Sequence, residues 1–146
     1  MDPKDIYFVH IRRGIIEYSR PRKILLFFRL IGMSGTLIAR VRTMNSDALF
    51  MAFSDEPVDC VEYFSACRNV IVVRGRLVED LAVMSLCQGG GVLSARSFSW
   101  WAAYFFRRLN SDASFLAPLF WFGHPFGRWI PSRIKTDWMT CVEALN

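Results

Sequence analysis

The sequence predicts an α/β fold, a Rossmann-like doubly wound parallel sheet. Short apolar runs rich in Val, Ile and Phe alternate with longer segments whose apolar residues recur at helical spacing. Continuously apolar runs are typical of parallel strands that helices cover on both faces. Strands and helices in alternation favour right-handed parallel crossovers. Because the 146 residues contain no internal repeat or low-complexity linker, we expect one domain over residues 1–146.

Five strands are predicted from the short apolar runs. The Val and Ile residues of Asn69 to Val73 form an unbroken run, which predicts a strand buried on both faces. Phe115 to Pro118 is predicted to be the last strand. The remainder, rich in Trp, Gly and Pro, is predicted to be irregular coil that ends in a helical turn. The predicted strands are Ile6–His10, Ala48–Phe53, Asn69–Val73, Gly91–Ser94 and Phe115–Pro118.

Helical segments are predicted between these strands. The segment from Arg22 to Met44 forms one helix or two, because Gly32 and Gly35 weaken its middle. Glu79 and Asp80 are expected as an acidic pair at a helix N-terminus, where the helix dipole favours negative charge. The remaining predicted helices are Val58–Cys67, Glu79–Cys87 and Ser97–Leu109.

The charge balance favours an anionic partner. The formal net charge is +5 and arginine supplies most of it. The arginine guanidinium is the better bidentate ligand for phosphate. Nucleic-acid-binding modules usually carry basic stripes interleaved with exposed aromatic residues. Here the arginines form isolated pairs at the ends of apolar segments, so nucleic acid is not the expected partner.

The cysteines and the apolar segments argue against two further classes, metal-binding proteins and membrane-spanning proteins. The four cysteines lack CxxC spacing and a nearby histidine, so no metal site is predicted. We expect buried free thiols, with one disulfide allowed if the chain is lumenal. No segment reaches the roughly 18 uncharged apolar residues that a membrane span needs. The polar, acidic start of the chain does not resemble a signal peptide.

Polar side chains follow three of the predicted strands at their carboxyl ends, where ligands of such sheets bind. His10 to Arg13 follows the first strand, Ser54 and Asp55 follow the second, and Ser94 to Ser99 follows the fourth. Arginines suit a phosphate, a carboxylate suits a ribose or a base edge, and a helix N-terminus suits an anion. Together they predict a site for a nucleoside diphosphate.

Four motifs in this order resemble the α-1,2-fucosyltransferase family. His10 to Gly14 matches its His-x-Arg-Arg-Gly-Asp element, and Phe53 to Glu56 resembles its Ser-Asp-Asp element. Asp80 to Cys87 matches Asp-Leu-x-x-Met-Ser-x-Cys. Ser94 to Ala103 matches Ser-x-x-Ser-Phe-Ser-Trp-Trp-x-Ala. The last two motifs are the specific ones, since composition alone would rarely produce both in order.

The resemblance implies the C-terminal, donor-binding half of a GT-B glycosyltransferase. The family transfers fucose from GDP-fucose to a galactose-containing glycan with inversion, with GDP-fucose as co-substrate and no required metal or cofactor. In eukaryotes it implies the lumenal side of the Golgi membrane. The family's N-terminal acceptor domain has no counterpart in this sequence, so we expect little or no transfer by this chain alone.

The resemblance also implies roles for individual residues. Arg13 would be the catalytic residue, contacting the donor diphosphate and stabilising the departing GDP. Asp55 would lie beside the guanosine, and the Ser97 to Ser99 turn would donate backbone and hydroxyl hydrogen bonds to the phosphates. The implied donor-binding residues are His10, Arg12, Arg13, Ser54, Asp55, Asp80, Ser97, Phe98 and Ser99.

Two interpretations of the function therefore remain. One is a fucosyltransferase domain. The other is a non-catalytic, truncated or divergent copy that acts as a nucleotide-sugar-binding or structural module, since Ile15 replaces the family's Asp. Trp100 and Trp101 are interpreted as packing residues under the sheet. His10 is equally compatible with a satisfied core histidine, and His124 is assigned no role.

Overall fold

An all-parallel sheet of six strands forms the frame of the protein. The computed structural model describes residues 2–12, 35–36, 38–121 and 126–143. The strands are β1 (Ile6–Ile11), β2 (Leu49–Ser54), β3 (Val70–Val73), β4 (Gly90–Val92), β5 (Ser114–Pro118) and β6 (Met139–Val142). The α-helices with defined bounds are α1 (Pro57–Phe64), α2 (Leu77–Met84) and α3 (Ser97–Arg107), and residues 38–44 are also helical.

The strand order is β3-β2-β1-β4-β5-β6, so the first strand of the chain lies in the middle of the sheet. Tyr7 of β1 lies opposite Phe50 of β2 on one side and Gly90 of β4 on the other. The chain builds outward from β1 to β3 and then crosses to β4, so the order reverses between β1 and β4. This arrangement confirms the predicted doubly wound α/β class.

Alternate residues of β1 pack on opposite faces of the sheet. Val9 and Ile11 belong to a core cluster with side chains of α1 and of residues 38–44. Phe8 belongs to a second cluster with side chains of α2 and α3. His10 shares the parity of Phe8, so it lies on the face that α3 covers. The alternation of the strand thus decides which helix the imidazole meets.

The close approach of neighbouring strands explains the glycines of β4. A β-carbon on Gly91 would overlap the ring of Phe8 in β1. Gly90 has φ +123, a conformation that favours glycine, and its α-carbon faces the backbone of Ser114 in β5. Gly91 thus leaves room for the fully buried Phe8 ring of β1, and Gly90 lets β4 approach β5 closely.

The prediction for β3 was wrong in its burial. The strand lies at the edge of the sheet, and Ile71 is 51% exposed. Val70 and Val72 pack against one core cluster and Val73 packs against the other. The run is apolar because its side chains contact the core clusters on both faces of the sheet. Among the described residues β3 has only β2 as a strand neighbour, so its other edge is unpaired.

The prediction of irregular coil after Pro118 was wrong for residues 139–142. Met139–Val142 forms β6, which pairs in parallel with β5 and adds a sixth strand. Only Met139 of these residues is fully buried, so the short segment carries little hydrophobic pattern. Residues 144–146, where the helical turn was expected, lie outside the described residues.

The predicted helices differ from the observed ones mainly at their ends. α1 ends at Phe64 rather than Cys67, α2 covers Leu77–Met84, and α3 ends at Arg107. Of the predicted segment from Arg22 to Met44, residues 38–44 are helical, whereas residues 22–34 lie outside the described part of the chain.

Candidate functional site

The carboxyl ends of β2, β1 and β4 lie side by side, because β1 pairs with both neighbours. Ile11 at the end of β1 lies opposite Ser54 at the end of β2. Ser94 follows β4 by two residues, and α3 begins three residues later. The three polar segments named from the sequence therefore meet at one edge of the sheet, next to the point where the strand order reverses.

A buried hydrogen bond joins two of these strand ends. The Nδ1 atom of His10 lies 2.8 Å from the Oγ atom of Ser94. The two residues are 7% and 3% exposed, so the bond is shielded from water. The imidazole also lies against the ring of Phe98, with 5.4 Å between the ring centroids. His10 thus connects β1 to the loop after β4 and to the first turn of α3.

Ser99 extends this contact into the helix. Its side chain is fully buried, and its Oγ atom lies 3.1 Å from the Ser94 carbonyl oxygen and 3.2 Å from the Arg96 carbonyl oxygen. Carbonyl oxygens only accept, so the Ser99 hydroxyl donates inward. The sequence led us to expect this hydroxyl at a phosphate. In the structure, Ser97 is the exposed hydroxyl of this turn.

The N-terminus of α3 differs from the other helix starts at this edge. Among the described residues no side chain caps it, which is also true of α1, but its first turn contains no acidic residue. The first turns of α1 and α2, by contrast, contain Asp59 and the pair Glu79 and Asp80. The positive end of the α3 dipole and its first backbone N–H groups are therefore not compensated by an acidic residue of that turn. An anion would fit here.

Arg12 and Asp55 form an ion pair where β1 and β2 end. The Nε atom of Arg12 lies 3.8 Å from the Oδ2 atom of Asp55, and the side chains are 40% and 35% exposed. Such an exposed pair contributes little to stability. Ser54 has a local role, since its Oγ atom accepts a hydrogen bond of 3.0 Å from the backbone N–H of Glu56. Arg13 lies outside the described residues.

The imidazole of His10 is neutral at pH 7. Burial lowers its pKa to about 4, Asp55 raises it, and Arg12 and Arg96 lower it further. His10 therefore supplies hydrogen bonds rather than a positive charge at this edge.

Comparison with known protein families identifies the family of this chain. The model of Glycosyl transferase family 11 matches residues 2–141. The chain belongs to this family, the α-1,2-fucosyltransferase family. No curated protein and no solved structure gives a significant match. Family membership makes the protein a fucosyltransferase-like glycosyltransferase, and it implies a nucleotide-sugar donor and a glycan acceptor.

The family's Asp-Leu-x-x-Met-Ser-x-Cys motif lies apart from the polar segments that follow β1, β2 and β4. Asp80 is in the first turn of α2, which follows the edge strand β3, and β2 separates β3 from β1. Its Oδ1 atom is buried without a hydrogen-bond partner in the described part of the chain and lies close to Gly75. Burial and the neighbouring Glu79 raise its pKa. The expected acidic pair at this helix N-terminus is present.

The tryptophans of the family's Ser-Phe-Ser-Trp-Trp motif have different environments. Trp100 packs against Tyr104 at a ring distance of 5.3 Å and against Trp138 at 5.9 Å, so it is part of the core. Trp101 is 48% exposed and stacks on Phe105. The interpretation as packing residues under the sheet is confirmed for Trp100 and wrong for Trp101, because that residue points away from the sheet.

The cysteines and the acidic residues assemble no metal centre in the part of the chain that the structure describes. All four thiols are free, and those of Cys60 and Cys87 are buried. Over residues 2–12, 35–36, 38–121 and 126–143, no group of three His, Cys, Asp or Glu side chains could hold a metal ion. None of the helices in these ranges is long and apolar enough to cross a membrane.

Proposed function

We propose that this protein is the donor-binding half of a galactoside 2-α-L-fucosyltransferase and that it binds GDP-fucose at the carboxyl edge of β1 and β4. One observation carries the proposal. Within the described residues the α3 N-terminus has neither a side-chain cap nor an acidic first turn, and it lies at the strand-order reversal of a chain that belongs to family 11. This combination suits a diphosphate.

Different residues at this edge would bind different parts of GDP-fucose. The backbone N–H groups of Ser97, Phe98 and Ser99 and the hydroxyl of Ser97 would hold phosphate oxygens. Arg12 and Arg13 would pair with the diphosphate through their guanidinium groups. Asp55 would accept hydrogen bonds from the guanosine, and Ser54 shapes the turn that carries Asp55. Asp80, which lies beyond β2, has no part in this arrangement.

Transfer with inversion is a displacement at the anomeric carbon of fucose. A galactose hydroxyl oxygen forms the new bond on one face, while the bond to the phosphate oxygen of GDP breaks on the other. The hydroxyl proton passes to a base, and GDP leaves with the bonding electron pair. Negative charge grows on the diphosphate during this step, so the arginines and the helix N-terminus stabilise the transition state. Loss of one such donor typically costs about 3 kcal/mol.

Calorimetric titration of the purified chain with GDP tests the proposal. We expect saturable binding that Arg12→Ala and Arg13→Ala each weaken at least tenfold, roughly the loss of one charged hydrogen bond. The matched control is Arg133→Ala, an exposed arginine in the short 3-10 turn before β6. GDP binding by the control should equal that of the wild type. Absence of saturable heat from the wild-type chain would overturn the proposal.

A specific observation favours the second candidate, a non-catalytic nucleotide-sugar-binding copy. Ile15 stands where the family has a carboxylate. Assay of GDP release from GDP-fucose with a galactoside acceptor separates the two candidates. We expect GDP binding with little or no turnover from this chain alone. Turnover gained by Ile15→Asp would identify a transferase disabled by this substitution. Residence on the lumenal side of the Golgi membrane is proposed only for the transferase candidate.

A further inference from the structure

His10, Ser94 and Ser99 form a buried cluster of three hydrogen-bonding side chains, here called the His10 cluster. All three residues are less than a tenth exposed. His10 comes from β1, Ser94 from the loop after β4, and Ser99 from the first turn of α3. Their contacts are 2.8 Å between His10 Nδ1 and Ser94 Oγ and 3.4 Å between the two serine Oγ atoms.

The number of hydrogens limits how these contacts are arranged. The Ser99 hydroxyl donates to a carbonyl oxygen, that of Ser94 or Arg96, which leaves its oxygen free to accept. The contact between the two serines is then a hydrogen bond only if Ser94 donates. A Ser94 hydroxyl that donates to Ser99 can only accept from His10. The arrangement that uses every contact therefore has the proton on Nδ1 of His10.

We propose that His10 is a positioning residue: its Nδ1–H donates to Ser94, Ser94 donates to Ser99, and this chain of fixed direction holds the first turn of α3 in place for the donor diphosphate. The inference rests on the proposed function for its ligand. It assigns His10 no charge and no direct bond to phosphate. The other ring nitrogen, Nε2, is left as an acceptor.

The position of the His10 cluster lets it hold the first turn of α3 in place. α3 follows a glycine-rich strand of three residues, and no side chain in the part of the chain that the structure describes caps the helix start. The backbone N–H of Arg96, the residue before α3, donates to the Ser94 carbonyl oxygen at 2.7 Å, so Ser94 is bonded to both sides of the turn. A helix turn that is already fixed binds an anion without an ordering penalty.

Burial keeps the imidazole neutral by lowering its pKa; Asp55 opposes this effect, and Arg12 and Arg96 add to it. Asp55 and Arg12 lie at the ends of β2 and β1, and Arg96 lies before α3. Phe98 covers one face of the ring. A protonated imidazole would place a second donor in this apolar setting without changing the direction of the Nδ1 bond.

Nitrogen-15 NMR of the imidazole ring tests the direction without any ligand. In the wild type at pH 7 we expect a protonated Nδ1 and an unprotonated Nε2. In Ser99→Ala, the Ser94 hydroxyl loses its acceptor and can donate to Nδ1, so the proton should move to Nε2. The matched control is Ser97→Ala, the exposed serine of the same turn, which should keep the wild-type tautomer. A wild type with the proton on Nε2 overturns the proposal.

GDP titration tests the consequence for the site. We expect Ser99→Ala to weaken GDP binding about fivefold, the usual effect of one buried neutral hydrogen bond. His10→Ala should weaken it at least as much, and His10→Asn, which can still donate to Ser94, should restore most of the affinity. Ser132→Ala, an exposed serine in the turn before β6, should leave it unchanged.

The outcomes separate the two proposals. If the wild type does not bind GDP, the proposed function fails, while the ring tautomer still decides the direction of the chain. If the wild type binds GDP and Ser99→Ala binds it equally well, the positioning role of His10 is overturned. Should His10→Ala fail to fold, Ser99→Ala and His10→Asn carry the test.

Discussion

The carbonyl oxygen of Ser114 in β5 occupies the place where a β-carbon on Gly90 in β4 would stand. Gly90 combines this close contact with a φ of +123, so two separate features exclude a side chain there. The pairing of β4 with β5, and with it the strand that leads into α3, depends on this glycine.

Gly90→Ala should lower the free energy of unfolding by at least about 3 kcal/mol, because overlap with β5 adds to an unfavourable backbone conformation. Urea denaturation followed by circular dichroism measures the change. Gly127→Ala is the control, since Gly127 also has a positive φ of +59, but no atom of the described residues lies within 4 Å of a β-carbon placed there. It should lose only about 1 kcal/mol. Equal losses in the two variants would contradict the contact.

Stability should fall between pH 6.5 and pH 4 because of His10. The pKa of this imidazole is about 4 in the folded protein and 6.5 in the unfolded chain. Below pH 6.5 the unfolded chain binds a proton that the folded protein does not, so acid favours unfolding. The stabilisation is full above pH 6.5, and about 3 kcal/mol of it is lost by pH 4.

His10→Asn is the reference for this measurement, since it lacks the titrating ring but keeps the carboxylates that also titrate in acid. Urea unfolding of both proteins across this pH range isolates the contribution of His10. A difference between the two that does not change with pH would contradict the low pKa of the folded state.

Arg12→Gln should change the free energy of unfolding by less than about 0.5 kcal/mol, because exposed ion pairs contribute little. The pair with Asp55 is 3.8 Å long and solvent reaches both side chains. The same variant should weaken GDP binding about tenfold or more. Urea unfolding and calorimetry on one preparation give both values. A loss of stability above about 1 kcal/mol would assign Arg12 a structural role.

Thiol labelling should divide the four cysteines into two pairs. Burial raises the pKa of Cys87 to about 12, and it also raises the pKa of Cys60. Both thiols are buried, whereas Cys67 and Cys141 are half-buried. We expect Cys67 and Cys141 to react first with a thiol reagent at pH 8, and Cys60 and Cys87 only at the rate of unfolding. In urea all four should react together; reaction of Cys60 or Cys87 as fast as in urea would contradict the packing of α1 and β4.

The sequence predicted the central strands of the sheet and the covering helices better than the two edge strands. Unbroken Val and Ile residues identified β3 as a strand, but such a run does not tell a central strand from an edge strand that touches two helical layers. β6 was missed because the Met-Thr-Cys-Val segment is short and only Met139 is buried. Both errors concern the borders of the sheet, where the hydrophobic signal is weakest.

For the candidate site, the sequence predicted where the polar segments meet but not which atoms face each other. The parallel order brings His10 and Ser94 to one edge, and strand parity places His10 on the side of α3. The inward direction of the Ser99 hydroxyl depends on the backbone of residues 94 to 96, which no residue pattern specifies. Asp80 belongs to a family motif, yet topology places it beyond β2.

The central position of β1 has a consequence for synthesis on the ribosome. Of the six strands β1 is translated before the others, and the strands on one side of it, β2 and β3, can join the sheet as soon as they emerge. The partner on its other side, β4, is still untranslated, and His10 must wait 84 residues for Ser94. During that interval one edge of β1 is unpaired, exposed to any other strand in the cell. A strand that is paired on both sides in the finished protein is thus open on one side for most of the synthesis of this sheet.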